Sequence, residues 1–218
     1  VGRVLELPPY RAVLVVDVKG FGGWRGREQA DLVRLVPVVL REVFAECGLG
    51  GEWDRAPLSA STGDGWVLGL RSGLLPLLLN PVLPTLQEVL PDGVRMRATV
   101  HIGPLTGGRS LGAGNGEARV QAHRLLDARP VRELLDRSGP GTRVAAVVSE
   151  RAYVDAVLSG YAGDDPGLYV PVPVRVKSFA QTAYLRVPVP TGELLSHGFT
   201  GRAPSAVRSG RTARSRTW

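Results

Sequence analysis

The sequence predicts a mixed α/β (α+β) domain with a ferredoxin-like core, in the order β-α-α-β-β-α-β, followed by additional C-terminal strands. Three observations lead there. Residues 12–16 are a continuous apolar run, as a strand buried on both faces requires. Asp64-Gly65 stands between two apolar runs, a strong hairpin signal. From Val94 to Ile102 apolar residues alternate with Arg95, Arg97, Thr99 and His101, which is the period of a half-buried strand.

The remaining elements follow in order. Leu32, Val36, Val39, Val43 and Cys47 recur at helical spacing, so 27–47 reads as a packed helix that Pro37 should bend. Strands near 56–62 and 66–70 flank the turn at Gly63-Asp64-Gly65. Residues 73–90 are leucine-rich but interrupted by Pro76, Pro81 and Pro84, giving a helix with broken ends. Asn115 is the expected N-cap of a helix reaching Asp136, kinked where Arg129 precedes Pro130. A strand at 143–148, a helix capped by Ser149, and strands near 168–176 and 182–187 complete the set.

With 218 residues, 44% of them hydrophobic, the chain suits one globular domain at 11–190, a short lead at 1–10 and a basic tail at 191–218. The formal net charge is +7, and residues 196–218 carry five arginines and no carboxylate. The folded part is therefore nearly neutral, which argues against nucleic-acid binding by the domain. The tail's Ser, Thr, Gly and Pro content reads as disordered. A single cysteine excludes an internal disulfide, and no apolar run of about 18 residues marks a membrane helix. With no secretory signal at its start, the chain reads as cytoplasmic.

Chemistry concentrates where apolar strands meet carboxylates and glycines. Asp17 ends VLVVDVKGFG and Asp64 sits in STGDGWVLGL, 47 positions later. A carboxylate beside a Gly-rich turn puts negative charge next to free backbone N–H groups, an arrangement suited to a metal-bound polyphosphate. Two such carboxylates imply two metal ions.

These segments, with VRMRATVHIGPLTGG at 94–108 and GNGEARVQAHRLL at 114–126, resemble the catalytic domain of class III nucleotidyl cyclases over roughly residues 11–188. The likeness extends to small actinobacterial cyclase-like domains and to the anti-phage Pycsar cyclases. It implies the class III cyclase fold and conversion of a nucleoside triphosphate into a 3′,5′-cyclic monophosphate and pyrophosphate. The resemblance also implies two Mg²⁺ or Mn²⁺ ions per site on Asp17 and Asp64, aided by the Val18 carbonyl. The turn Lys19, Gly20, Phe21 and Gly22 would hold the triphosphate through its amides, with Phe21 anchoring the turn in the core.

Arg124 matches the family's transition-state arginine, and Lys177 its phosphate-binding lysine. The asparagine four residues before that arginine is replaced by Val120. The purine-reading positions correspond to Ala60 and Ala113, neither of which can hydrogen-bond a base edge through its side chain. That points to a pyrimidine substrate and a cUMP or cCMP signal in anti-phage defence, with Arg55 and Ser61 as base readers. The family builds its site across a two-fold axis, so a homodimer is expected, Arg124 of one protomer completing the aspartate site of the other. A cyclase-like module that has lost catalysis and serves as a nucleotide-binding or dimerising regulator is the alternative that Val120 and the alanines favour. A palm-type polymerase or dinucleotide cyclase shares the two-carboxylate logic but would need a Gly-Gly-Asp-Glu-Phe-like turn. His101 and Cys47 read as structural.

Overall fold

A computed structural model describes residues 6–108, 114–176 and 178–201. Among these residues seven strands form one sheet in the order β2-β3-β1-β4-β5-β7-β6. These are β1 (Tyr10–Val18), β2 (Leu58–Ser61), β3 (Gly65–Arg71), β4 (Met96–Pro104), β5 (Val144–Ser149), β6 (Tyr169–Val176) and β7 (Phe179–Arg186). The first four, with order β2-β3-β1-β4 and antiparallel pairings throughout, are the expected ferredoxin-like core. Strand β5 extends it in parallel with β4, and the β6–β7 hairpin closes that edge.

Helices cover both faces. On one lie α1 (Gly26–Glu46), α2 (Gly50–Asp54), the broken segment carrying α3 (Leu75–Leu77) and α4 (Leu83–Val89), and α7 (Glu150–Tyr153). Their apolar stripes meet Leu14, Val16, Met96, Ala98 and Val148 in the largest core cluster. The other face carries α5 (Glu117–Leu126), α6 (Arg129–Arg137) and α8 (Glu193–His197). There Val13, Val15 and Val67 pack under Ala122 and Leu126, while Val131, Leu134, Leu135 and Leu194 pack against β5 and β7.

Coverage on both sides corrects one expectation. Strand β4 alternates in sequence, yet Thr99 is 0% and His101 5% exposed. The polar half of the pattern faces α5 and α6 rather than water.

Helix α1 contains Pro37, as its expected span requires. Three further differences are local. The 115–136 helix is two helices, because Ala128 is extended and Pro130 falls in the first turn of α6, where a missing N–H costs nothing. The cap of α5 is Gly116 rather than Asn115. Residues 191–201, assigned from sequence to the tail, include α8 and pack on α6: Leu194 is buried, and Arg137 donates to the carbonyls of Gly198 (3.2 Å) and Phe199. Residues 202–218, with the remaining tail arginines, lie outside the described residues. Among the described residues no helix is long and apolar enough to cross a membrane.

Candidate active site

Asp17 and Asp64 come together because the β2–β3 hairpin turns at the exit of β1. Asp17 lies opposite Gly65 in the β1–β3 register, and the Val18 N–H donates to the Asp64 carbonyl at 3.0 Å. Glycine is required on both sides of Asp64. Gly63 has φ +98°, and a Cβ at Gly65 would stand 2.0 Å from the Val16 carbonyl oxygen. Ser61 steadies the turn by accepting from the Gly63 N–H at 3.2 Å.

The first carboxylate already has a cation. Arg97 lies opposite Asp17 in the β1–β4 register and grips it with both arms of its guanidinium: Nε donates to Oδ1 at 2.8 Å and Nη2 to Oδ2. The side chains are 14% and 10% exposed, respectively. Burial raises the Asp17 pKa to about 6 from the ordinary 3.8; Arg97 opposes that shift, and Asp64 and Asp127 add to it. Reading β4 as half-buried, with its polar residues on the uncovered face, hid Arg97. The signal was its place in the polar half of a strand that the topology sets beside β1.

The Gly-rich turn follows. Gly20 is left-handed at φ 72°, opening a short helical turn at Phe21–Gly23. The Val18 and Lys19 amides are spent on the carbonyls of Asp64 and Arg95, which leaves those of Gly20, Phe21 and Gly22 as candidates for a phosphate. The expectation that the Lys19 amide takes part is thereby corrected. The side chain of Lys19 ties the turn to α6 through Asp136 at 2.7 Å and the Leu135 carbonyl at 3.1 Å. Phe21 packs partly buried against the main core. Turn, Asp64 and Arg97 line one cavity of about 390 Å³, with Arg132 and Asp136 on its α6 side.

Arg124 and Val120 line a different cavity of about 570 Å³. Arg124 lies 3.6 Å from Glu117, with its guanidinium carbon 5.9 Å from the Phe179 ring centre. Val120 is 42% exposed at that wall. Ala60 on β2 is half-buried beside the small core under α5. Arg55 is elsewhere in the protomer. It pairs with Glu52 at 3.6 Å, and Glu52 holds Arg71 at 3.0 Å. Arg71 is six residues along β3 from Gly65, about 20 Å at strand rise. Ala113 and Lys177 lie outside the described residues.

His101 also lies under α5, and burial lowers its pKa to about 4. It is therefore neutral, and among the described residues its buried Nδ1 has no protein partner. Among the described residues no group of three or more His, Cys, Asp or Glu side chains converges as a metal site.

No protein-family model and no curated protein matches the sequence. Solved structures do. The chain is similar to the guanylyl cyclase domain of the RhoGC fusion protein from the aquatic fungus Blastocladiella emersonii, with TM-score 0.53 and 13% identity over 84% of this chain and 98% of that one. It is likewise similar to an adenylate cyclase from Trypanosoma brucei in its monomeric state, with TM-score 0.53 and 12% identity over 81% and 87%. The chain has the class III nucleotidyl cyclase fold.

Proposed function

We propose that this protein is a nucleotidyl cyclase, cyclising a nucleoside triphosphate to a 3′,5′-cyclic monophosphate with release of pyrophosphate. The observation that carries the reading is the meeting of Asp17 and Asp64 beside the Gly20–Gly22 turn in a cyclase fold. The residues fit Mg²⁺ or Mn²⁺ in kind: two hard carboxylates, with the Val18 carbonyl adjoining, would serve ions that otherwise bind substrate phosphates and water. When bound, such ions acidify the attacking 3′-hydroxyl and offset charge on the leaving pyrophosphate. Arg97 uses one lone pair on each Asp17 oxygen, so a metal on Asp17 would share the carboxylate with Arg97 or displace its guanidinium toward the cavity that it already lines.

Arg124 would steady charge on the α-phosphate from a second protomer, since it lines a different cavity from Asp64 in its own. Homodimerisation is therefore part of the proposal. Lys177 keeps its proposed role at the terminal phosphates. Base selection is proposed to favour a pyrimidine, because Ala60 supplies no polar group; a signal in anti-phage defence is the corresponding biological role. Ser61 remains a candidate reader, whereas Arg55 could act only across a dimer interface.

The test is incubation of the purified chain with each of the four nucleoside triphosphates and Mn²⁺, with products resolved by mass. Cyclic UMP or CMP, or weak selectivity among all four, is expected; a strong preference for ATP or GTP would overturn the base reading. Two observations favour a second reading, that of a regulatory module without turnover: Asp17 is paired with a largely buried Arg97, and Val120 is apolar. Nucleotide binding with no cyclic product would establish that reading instead.

A further inference from the structure

Among the described residues three cations from three elements surround the Asp64 cavity, and each faces a carboxylate. Arg97 of β4 grips Asp17, Lys19 of the turn meets Asp136, and Arg132 of α6 donates to Asp127 at 2.7 Å. The pairs are unequal. Arg97 and Asp17 are buried, whereas Arg132 and Asp127 are 53% and 55% exposed. Exposed pairs add little to stability, so Arg132 can exchange its partner at little cost.

Helix α6 is held where that exchange matters. Val131, Leu134 and Leu135 bury its apolar stripe. Its last turn is fastened to the sheet where Lys19 and Arg95 both donate to the Leu135 carbonyl, at 3.1 and 2.7 Å. Arg132 and Asp136, four residues apart, therefore share the face turned to the cavity. A guanidinium on a rigid helix, across a cavity from a Gly-rich turn, matches the forked geometry of phosphate oxygens.

We propose that Arg132 binds the terminal phosphates of the substrate, so that α6 distinguishes a triphosphate from shorter polyphosphates. The phosphates take over the Arg132 donors now given to Asp127, while Lys19 stays within reach of the same oxygens. This rests on the reading of the cavity as a triphosphate site. Arg129 is the internal control, because it pairs with Glu133 on the same helix and does not line the cavity.

The experiment is calorimetric binding of inorganic tripolyphosphate and pyrophosphate to the full chain with Mg²⁺, which removes base recognition from the measurement. The wild type should bind tripolyphosphate more tightly than pyrophosphate. Arg132→Ala should lose about tenfold for tripolyphosphate, the scale of one charge-assisted contact, with part restored in Arg132→Lys. Arg129→Ala should change less than twofold. Unchanged affinity in Arg132→Ala, or an equal loss in Arg129→Ala, would overturn the assignment while leaving the cyclase reading intact. Failure of the wild type to bind tripolyphosphate or any nucleoside triphosphate would overturn both. Thermal melts establish that the variants are folded, as the exposure of Arg132 leads one to expect.

Discussion

Replacing Arg97 with Met tests whether the arginine is what makes a buried Asp17 tolerable. Both side chains are nearly sequestered and joined by two hydrogen bonds, so removing one partner leaves a carboxylate with little access to water. Breaking such a pair costs about 3–5 kcal/mol. Even with Arg97 present, a folded pKa near 6 against 3.8 represents about 3 kcal/mol of residual cost at neutral pH. The sign follows from proton uptake: the folded chain holds this proton more tightly than the unfolded one, so this contribution to stability falls as pH rises from about 4 to 6. Arg97→Met should extend that fall toward neutrality. Urea denaturation in EDTA at pH 7 should show a loss of about 3 kcal/mol or more. Asp17→Asn added to Arg97→Met should recover most of it, because no buried charge is then stranded. A loss below about 1 kcal/mol, or no recovery in the double variant, would refute the argument.

Asp17→Asn and Asp64→Asn should each abolish metal-dependent product formation while leaving the far-ultraviolet spectrum unchanged; wild-type turnover by either would end the two-metal proposal. Mixing Asp17→Asn with Arg124→Ala protomers should recover part of the lost activity, since about half of randomly exchanged dimers contain one intact composite site. Demonstrated exchange without recovery would exclude a shared site. His101 gives an effect of the opposite sign to that of Asp17: its folded pKa is about 4 against 6.5, so its contribution is lost as pH falls through 6.5 toward 4. The wild type should therefore lose about 2 kcal/mol more than His101→Gln between pH 8 and pH 5, read from urea midpoints; parallel profiles would contradict that.

What the sequence by itself determined is what neighbouring residues decide. A run of apolar residues makes β1 a buried strand, an Asp-Gly pair turns a hairpin, and a 3.6-residue period makes α1. Both aspartates could be placed on that basis, Asp17 where the apolar run of β1 gives way to the Gly-rich turn and Asp64 between the two glycines of the hairpin. Only the tertiary structure put Arg97 on Asp17. Their pairing spans 80 positions and depends on the register of β4 against β1, which no local period encodes. The same holds for His101 and Thr99, whose alternation with apolar residues reads as a wet face until α5 covers it. Arg55 is the converse case: a basic residue near the hairpin in sequence is carried to the far end of the sheet, because β3 must run its whole length between Arg71 and Asp64. Strand periodicity says which residues share a face; long-range pairing and coverage decide what that face meets.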